Sequence, residues 1–346
     1  MQDWGESIDA LCGRQVAFAL YQLPDAASYS FCMAADGAAR AQGAGFLVAD
    51  FEGRVSLIPA ELTCPPDAAR VNVFPERPAP DALPAATTRG EYAALFRRVK
   101  TELASGRLRK LVLARTADVA TGEKKLSPWA AFCAAAAASP NLFTALVHTP
   151  QHGTWLCCTP ELLLRGSGED WETMALAGTR PCSEDAWDAK NTREQAVVAD
   201  YVQGVLKKHA AAVSVSPVCN RNSGAIEHLC THFRFRMAAA GLGNLLAELP
   251  PTPAVSGFPV AAAREYLNSQ PDIARGLYAG YMGERGGDSA QLYVSLRCMQ
   301  LLPDRCRLYA GGGIMPDSEE EAEWQETEAK CGTMRRVIET CISEPS

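Results

Sequence analysis

A chain of 346 residues has room for roughly two domains of ordinary size, or one large α/β or α+β unit. Its residues are 47% hydrophobic and 21% charged, and 33 Lys plus Arg against 40 Asp plus Glu leave a formal charge of −7. An acidic chain with no basic block is a poor partner for nucleic acid or an anionic membrane, so an anionic substrate needs positive charge gathered locally.

The run Met1-Gln2-Asp3-Trp4-Gly5-Glu6 lacks the basic start of a signal peptide. Short β-like runs follow at Val16 to Leu20, Gly45 to Val48 and Val55 to Ile58. Pro65, Pro66, Pro75, Pro78, Pro80 and Pro84 then mark residues 64–88 as a connector, because such density excludes helix interiors. The expected division is a strand-rich part, 1–88, ahead of a region 89–346, the two in one continuous unit. Thr88-Arg89-Gly90-Glu91 has capping-box spacing and opens a helix with Tyr92, Leu95, Val99 and Leu103 on one side. Gly106 stops it, and Leu111 to Val119 reads as a strand.

The stretch Trp129 to Val147 is long and apolar enough to suggest a membrane span, but Ser139-Pro140-Asn141 interrupts it. It reads instead as a surface helix followed by a strand. Further strands are expected at Phe143 to Val147 and Trp155 to Cys158, then a helix from about Asn191 to Lys208 and another after Pro259. Leu277 to Gly283, Gln291 to Leu302 and Arg307 to Ala310 read as strands, and a helix from Ser318 to Cys341 closes the chain. Strands at hairpin-scale spacing mixed with a few long helices predict an α+β fold, not a doubly wound parallel sheet. No GxGxxG follows a strand, and Gly311-Gly312-Gly313 lacks the Lys-Ser/Thr of a P-loop, which argues against nucleotide binding. The 13 cysteines contain no CxxC pair, and neither Cys157-Cys158 nor the five His have zinc-finger spacing. They read as small apolar residues in a reducing cytosol.

On the last helix Glu323, Glu326 and Lys330 fall at i, i+3 and i+7, in line with Thr327, Met334, Val337 and Cys341. Charged groups in line with an apolar stripe point inward, although an exposed Glu-Lys ladder would have the same spacing. Glu194 likewise heads a stripe of Val197, Val198, Tyr201, Val205 and Leu206, although a first-turn Glu also suits the helix dipole. Two helices aiming carboxylates at the interior suit Mg²⁺, which takes one or two carboxylates and keeps the rest of its shell for water and substrate. Lys110 opens Lys-Leu-Val-Leu-Ala-Arg, and Arg297, read as centred in a long strand, is suited to gripping a carboxylate. Glu161 stands at the mouth of an apolar run, and His228 reads by default as a structural histidine. The residues alone point to a magnesium-assisted enzyme acting on a small carboxylate.

Together these segments resemble the chorismate-utilising enzymes: isochorismate and salicylate synthases and the large subunits of anthranilate and aminodeoxychorismate synthases. The similar pieces are Lys110-Leu-Val-Leu-Ala-Arg115, Pro160-Glu-Leu-Leu-Leu164, Leu176-Ala-Gly-Thr179 and Glu227-His-Leu229. They continue through Pro251-Thr-Pro-Ala-Val-Ser-Gly-Phe-Pro259, Leu277-Tyr-Ala-Gly280 and Leu296-Arg297. Leu308-Tyr-Ala-Gly-Gly-Gly-Ile314 and Glu323-Trp-Gln-Glu-Thr-Glu-Ala-Lys330 complete the ordered series, which runs from about residue 89 onward. The resemblance implies two stacked antiparallel sheets with helices outside and the active site in a cleft between them. It implies Glu194 and Glu326 as magnesium ligands, with Glu323 behind them or acting through water. Arg297, Lys330 and the backbone at Gly311 would hold substrate carboxylates. Gly178, Thr179, His228, Ala254, Tyr278 and Tyr309 would line the pocket.

Lys110 selects the branch: members of the family that use ammonia resemble one another in carrying Gln there, and those that use water carry Lys. Such a lysine takes a proton only when neutral, a form that burial beside cations favours. Glu161 would protonate the departing 4-hydroxyl of chorismate. Ala254, where salicylate synthases resemble one another in having Thr, implies isochorismate without loss of pyruvate. The wording around Cys298 and Trp324 is similar to menaquinone-pathway members. Pro250, Asn191 and Gln195 depart from the His, Asp and His usual in the family. The implied protein is a cytoplasmic monomer acting on chorismate without a glutaminase subunit. Salicylate synthase, a siderophore-pathway isochorismate synthase and a non-catalytic carboxylate-binding protein on the same fold are the competing readings.

Overall fold

The computed structural model describes residues 4–78, 83–122, 125–183, 185–224 and 226–343. Met1, Gln2, Asp3 and the connector's Pro80 lie outside the described residues. A short helix α1 (Gly5–Leu11) precedes the hairpin β1 (Phe18–Gln22) and β2 (Ser30–Met33). A second hairpin follows, β3 (Gly45–Ala49) with β4 (Val55–Pro59). Among its described residues the connector holds one helical turn, α2 (Ala68–Val71). Helix α3 (Arg89–Ala104) then starts at a complete capping box: Glu91 N–H donates to Thr88 Oγ1 at 3.2 Å, and Thr88 N–H donates to the Glu91 carboxylate at 2.7 Å. A cap of this kind stabilises a helix by about 1 kcal/mol.

Next come β5 (Lys110–Ala120), α4 (Pro128–Ala138), β6 (Phe143–Thr149), β7 (Gly153–Thr159), β8 (Leu162–Ser167) and β9 (Asp170–Pro181). Helix α5 (Ala189–His209) leads to β10 (Ala212–Val215), β11 (Cys219–Ser223) and β12 (Ile226–Arg236). Helix α6 (Leu242–Glu248), β13 (Gly257–Phe258) and α7 (Val260–Ser269) precede β14 (Tyr281–Arg285) and β15 (Ser289–Val294). The chain ends in β16 (Cys298–Leu301), β17 (Arg305–Ile314) and α8 (Glu320–Ser343).

Every strand pair is antiparallel, in two sheets. One has the order β13-β5-β17-β16-β7-β6-β1-β2 and the other β10-β12-β9-β8-β15-β14-β3-β4, with β11 beside β10 along β12. Their inner faces meet in a shared core, where Phe143 stacks on Tyr293 at 4.2 Å between centroids and Tyr21 meets Phe46 at 4.8 Å. Helices α1, α4 and α8 bury their apolar sides on the outer face of the first sheet, and α3 and α7 pack against β5. The first hairpin extends one sheet beside β6 and the second extends the other beside β14. The N-terminal residues thus supply an edge to each sheet.

Two sequence expectations change. The strand placed at Leu277 to Gly283 begins only at Tyr281, because the chain turns through Ala279 at φ 65°. The strand expected from Gln291 to Leu302 is two strands in different sheets, β15 and β16, and Ser295-Leu296-Arg297 carries the chain across. Arg297, at φ 46°, sits in that crossing and not in the middle of a strand. Both flanking strands are buried, so the apolar run reads as continuous and conceals the break.

The neighbouring ribbon makes the same crossing. β7 leaves the first sheet at Pro160-Glu161 and resumes in the second as β8. The two crossings are tied together, Val294 N–H to Glu161 O at 3.0 Å and Cys158 N–H to Arg297 O at 3.1 Å. An acid and an arginine are thereby delivered to the place where the sheets part.

Candidate active site

A cleft opens where the sheets part. Tyr309, Gly311 and Gly313 of β17 line one wall, alternate residues of one strand face. Leu176, Gly178 and Thr179 of β9 line another. Glu161, Glu194, His228, Ala254, Tyr278, Arg297 and Lys330 complete the sequence-predicted residues that border it. Lys110, Glu323 and Glu326 stand behind this lining.

Lys110 is fully buried, with its Nζ 2.9 Å from Glu194 Oε1. The contact has no aligned hydrogen bond, so the Lys110 nitrogen keeps hydrogen-bonding capacity to spare. Glu161 is 2% exposed, and burial pushes its carboxyl up to about 8 against the opposing pull of Lys110 and Lys330. At pH 7 it therefore favours the protonated form, a carboxylic acid able to donate.

Arg297 is buried, and among the described residues no carboxylate pairs with it. Its Nη1 donates to Ser223 O at 2.9 Å, and its Nη2 donates to His228 Nε2 at 2.6 Å. Arginine cannot accept, so His228 must carry its proton on Nδ1, which lies 2.9 Å from Gly178 O. Burial, then Arg297 and Lys330, push the imidazole down to about 3, so it stays neutral. Gly178 adopts φ 75°, a conformation that favours glycine, where the β9–β12 register shifts. This bulge aims the Gly178 carbonyl at His228, which in turn holds Arg297. The result is a desolvated cation with no acid partner, prepared for an anion.

At the end of β17, Lys190 is 2.7 Å from Glu323 Oε1 and 3.8 Å from Glu194 Oε2. Lys330 donates to Glu326 Oε1 at 2.7 Å and to Gly311 O at 2.9 Å. Burial and then Glu326 hold the Glu323 carboxyl up at about 7; burial also opposes ionisation of Glu326, but Lys330 and Lys190 hold it down. Glu323 Oε2 is buried with no hydrogen-bond partner. Glu194, Glu323 and Glu326 each pair with a lysine and are not drawn together as closely as the ligands of one ion, but their oxygens, one of them orphaned, are the donor type of a hard cation such as Mg²⁺.

Lys190 and Gly313 also reach these groups, without a functional signal of their own in the sequence. Lys190 was signalled only by standing four residues before Glu194. A Cβ on Gly313 would fall 2.2 Å from Glu194 Oε1 and 2.6 Å from Lys110 Cε, so only glycine lets the two groups meet there. Gly313→Ala is accordingly expected to displace both side chains and lower turnover by about 10²-fold. Gly287→Ala, where the added carbon meets nothing within 4 Å, should leave turnover unchanged. Equal kinetics for the two variants would show that β17 does not position these groups.

The departures from the family pattern have local accounts. Asn191 Oδ1 accepts from Thr179 N–H at 3.0 Å, and Gln195 Nε2 donates to Ala175 O at 3.1 Å and Thr231 Oγ1 at 3.0 Å. Both brace the helix turn that carries Glu194. Pro250 borders a separate groove with Arg264 and Tyr281.

The family described as chorismate binding enzyme matches residues 48–336, starting well before residue 89 and taking in β4. The salicylate biosynthesis isochorismate synthase of Pseudomonas aeruginosa is 30% identical over 269 residues, 73% of this chain and 56% of that protein. The isochorismate synthase MenF of Escherichia coli is 29% identical over 248 residues, 68% of this chain and 57% of that protein. The chain thus spans little more than half the length of these relatives. In structure, the menaquinone-specific isochorismate synthase MenF of Escherichia coli matches with a TM-score of 0.79 at 21% identity, covering 96% of this chain and 91% of that one. That likeness concerns the fold.

Proposed function

The chain belongs to the chorismate-binding enzyme family, and from that premise we propose that it is an isochorismate synthase. The observation that carries this reading is the unpaired, buried Arg297 facing a cleft that also holds protonated Glu161 and, behind Glu194, Lys110. Chorismate is a dicarboxylate. Arg297, Lys330 and the backbone at Gly311 grip its carboxylates. Neutral Lys110 takes a proton from water as the oxygen bonds to C2. The ring double bonds shift, and Glu161 gives its proton to the 4-hydroxyl, which leaves as water. One water enters and one leaves, so the product is an isomer. Glu194 and Glu326, with Glu323 behind, would hold Mg²⁺, which would orient the ring carboxylate and neutralise its charge.

Lys110 in place of Gln and Ala254 in place of Thr support water as nucleophile and retention of the enolpyruvyl group. The relatives named MenF support a role in menaquinone biosynthesis. The same reading has the protein work as a monomer in the cytoplasm, without a glutaminase subunit. Among the described residues, no helix is long and apolar enough to cross a membrane.

Turnover in ¹⁸O-water tests the mechanism. Isochorismate formed in a single passage should carry one label on its 2-hydroxyl. Unlabelled product would mean that the hydroxyl migrates within the substrate, and Lys110 would lose its proposed role.

A further inference from the structure

A second group of ligand-type side chains stands outside the cleft. Cys219 of β11 lies directly opposite Cys230 of β12, and His232 is two residues further along the same face of β12. Their two sulfurs and an imidazole nitrogen all lie within 4.8 Å of one another. Among the described residues, no other three Cys, His, Asp or Glu side chains come so close together. Cys230 Sγ is 3.5 Å from His232 Nε2, near the ~3.6 Å between a sulfur and a nitrogen bound to one tetrahedral Zn²⁺. Met174 Sδ, 4.0 Å from Cys230 Sγ, adds a thioether behind the thiols.

We propose that the β11–β12 hairpin binds a thiophilic cation of the Zn²⁺ class through Cys219, Cys230 and His232. Sulfur and imidazole donors select such an ion, whereas the oxygen donors of Glu194, Glu323 and Glu326 select a hard one. The chain therefore sorts two metals between two places. Access is open: Cys219 is exposed, and His232 and Met174 border a surface cavity. That leaves a fourth coordination position to solvent, the mark of an exchangeable site rather than a closed structural one. Binding would displace the thiol protons of Cys219 and Cys230 to solvent as the sulfurs ligate the metal. Strand register, not sequence spacing, assembles the group, which is why no zinc motif is legible in the sequence.

The test uses the full chain with thiols reduced and metal removed, titrated with Co²⁺ and then Zn²⁺. One equivalent of Co²⁺ should produce thiolate-to-cobalt charge transfer and the strong visible bands of a tetrahedral site. Zn²⁺ should bleach them at one equivalent, and excess Mg²⁺ should not. Cys219→Ser, an exposed change that spares the fold, and His232→Asn should each weaken Co²⁺ binding by more than about tenfold. Cys64→Ser and Cys182→Ser, at other exposed thiols, should not. Absence of charge transfer in the parent protein, or bands indifferent to Cys219→Ser, overturns the proposal. So does closure of Cys219 and Cys230 into a disulfide in place of metal uptake, seen by mass as the loss of two hydrogens.

Discussion

Lys110→Ala and Glu161→Gln should each lower chorismate turnover by roughly 10²–10⁴-fold, the scale of a positioned base or acid. Chorismate should still bind to both variants, because neither change touches Arg297 or Lys330. The pH profile separates the two. Glu161 must be protonated to donate, and its carboxyl is held up at about 8, so its contribution to activity is full below that value and lost above it. The parent enzyme should therefore lose kcat/KM tenfold per unit above about pH 8. Glu161→Gln, with no proton to lose, should lack that limb in its residual rate. A variant with near-normal turnover would reduce its residue to a structural one. Loss of binding in both would mean that the two residues hold the pocket together and do no proton transfer.

Removal of the metal should have an effect of similar size. Excess chelator should bring turnover to background, with recovery on adding Mg²⁺. Glu194→Ala and Glu326→Ala should lose that recovery, because each removes a carboxylate from the end of β17. Glu326→Ala also frees Lys330, which now bonds it at 2.7 Å, so it should disturb chorismate affinity more than Glu194→Ala does. Full activity in excess chelator would contradict the assignment of all three carboxylates.

The helical parts of the site were legible in the sequence. Glu194, Glu323, Glu326 and Lys330 continue the apolar stripes of α5 and α8, and a period of 3.6 fixes their direction without knowledge of the fold. The strand parts were legible as residue types but not as places. Arg297 looked like the centre of a long strand because β15 and β16 are both buried, and a change of sheet leaves no mark in an apolar run. The bulge at Gly178 depends on pairing with β12, which no local pattern announces. β11 reads Cys-Asn-Arg-Asn-Ser, with no apolar alternation, so neither the strand nor its thiol register could be anticipated. Lys190 and Gly313 matter through contacts with Glu194, and those contacts exist only once α5 and β17 meet.

The most direct test incubates the purified protein with chorismate and Mg²⁺, with and without ammonium, and resolves the products by chromatography. The account predicts isochorismate in equilibrium with chorismate, no pyruvate, and no aminated product when ammonium is present. Stoichiometric pyruvate with salicylate, an aminated ring, or unchanged chorismate would contradict it.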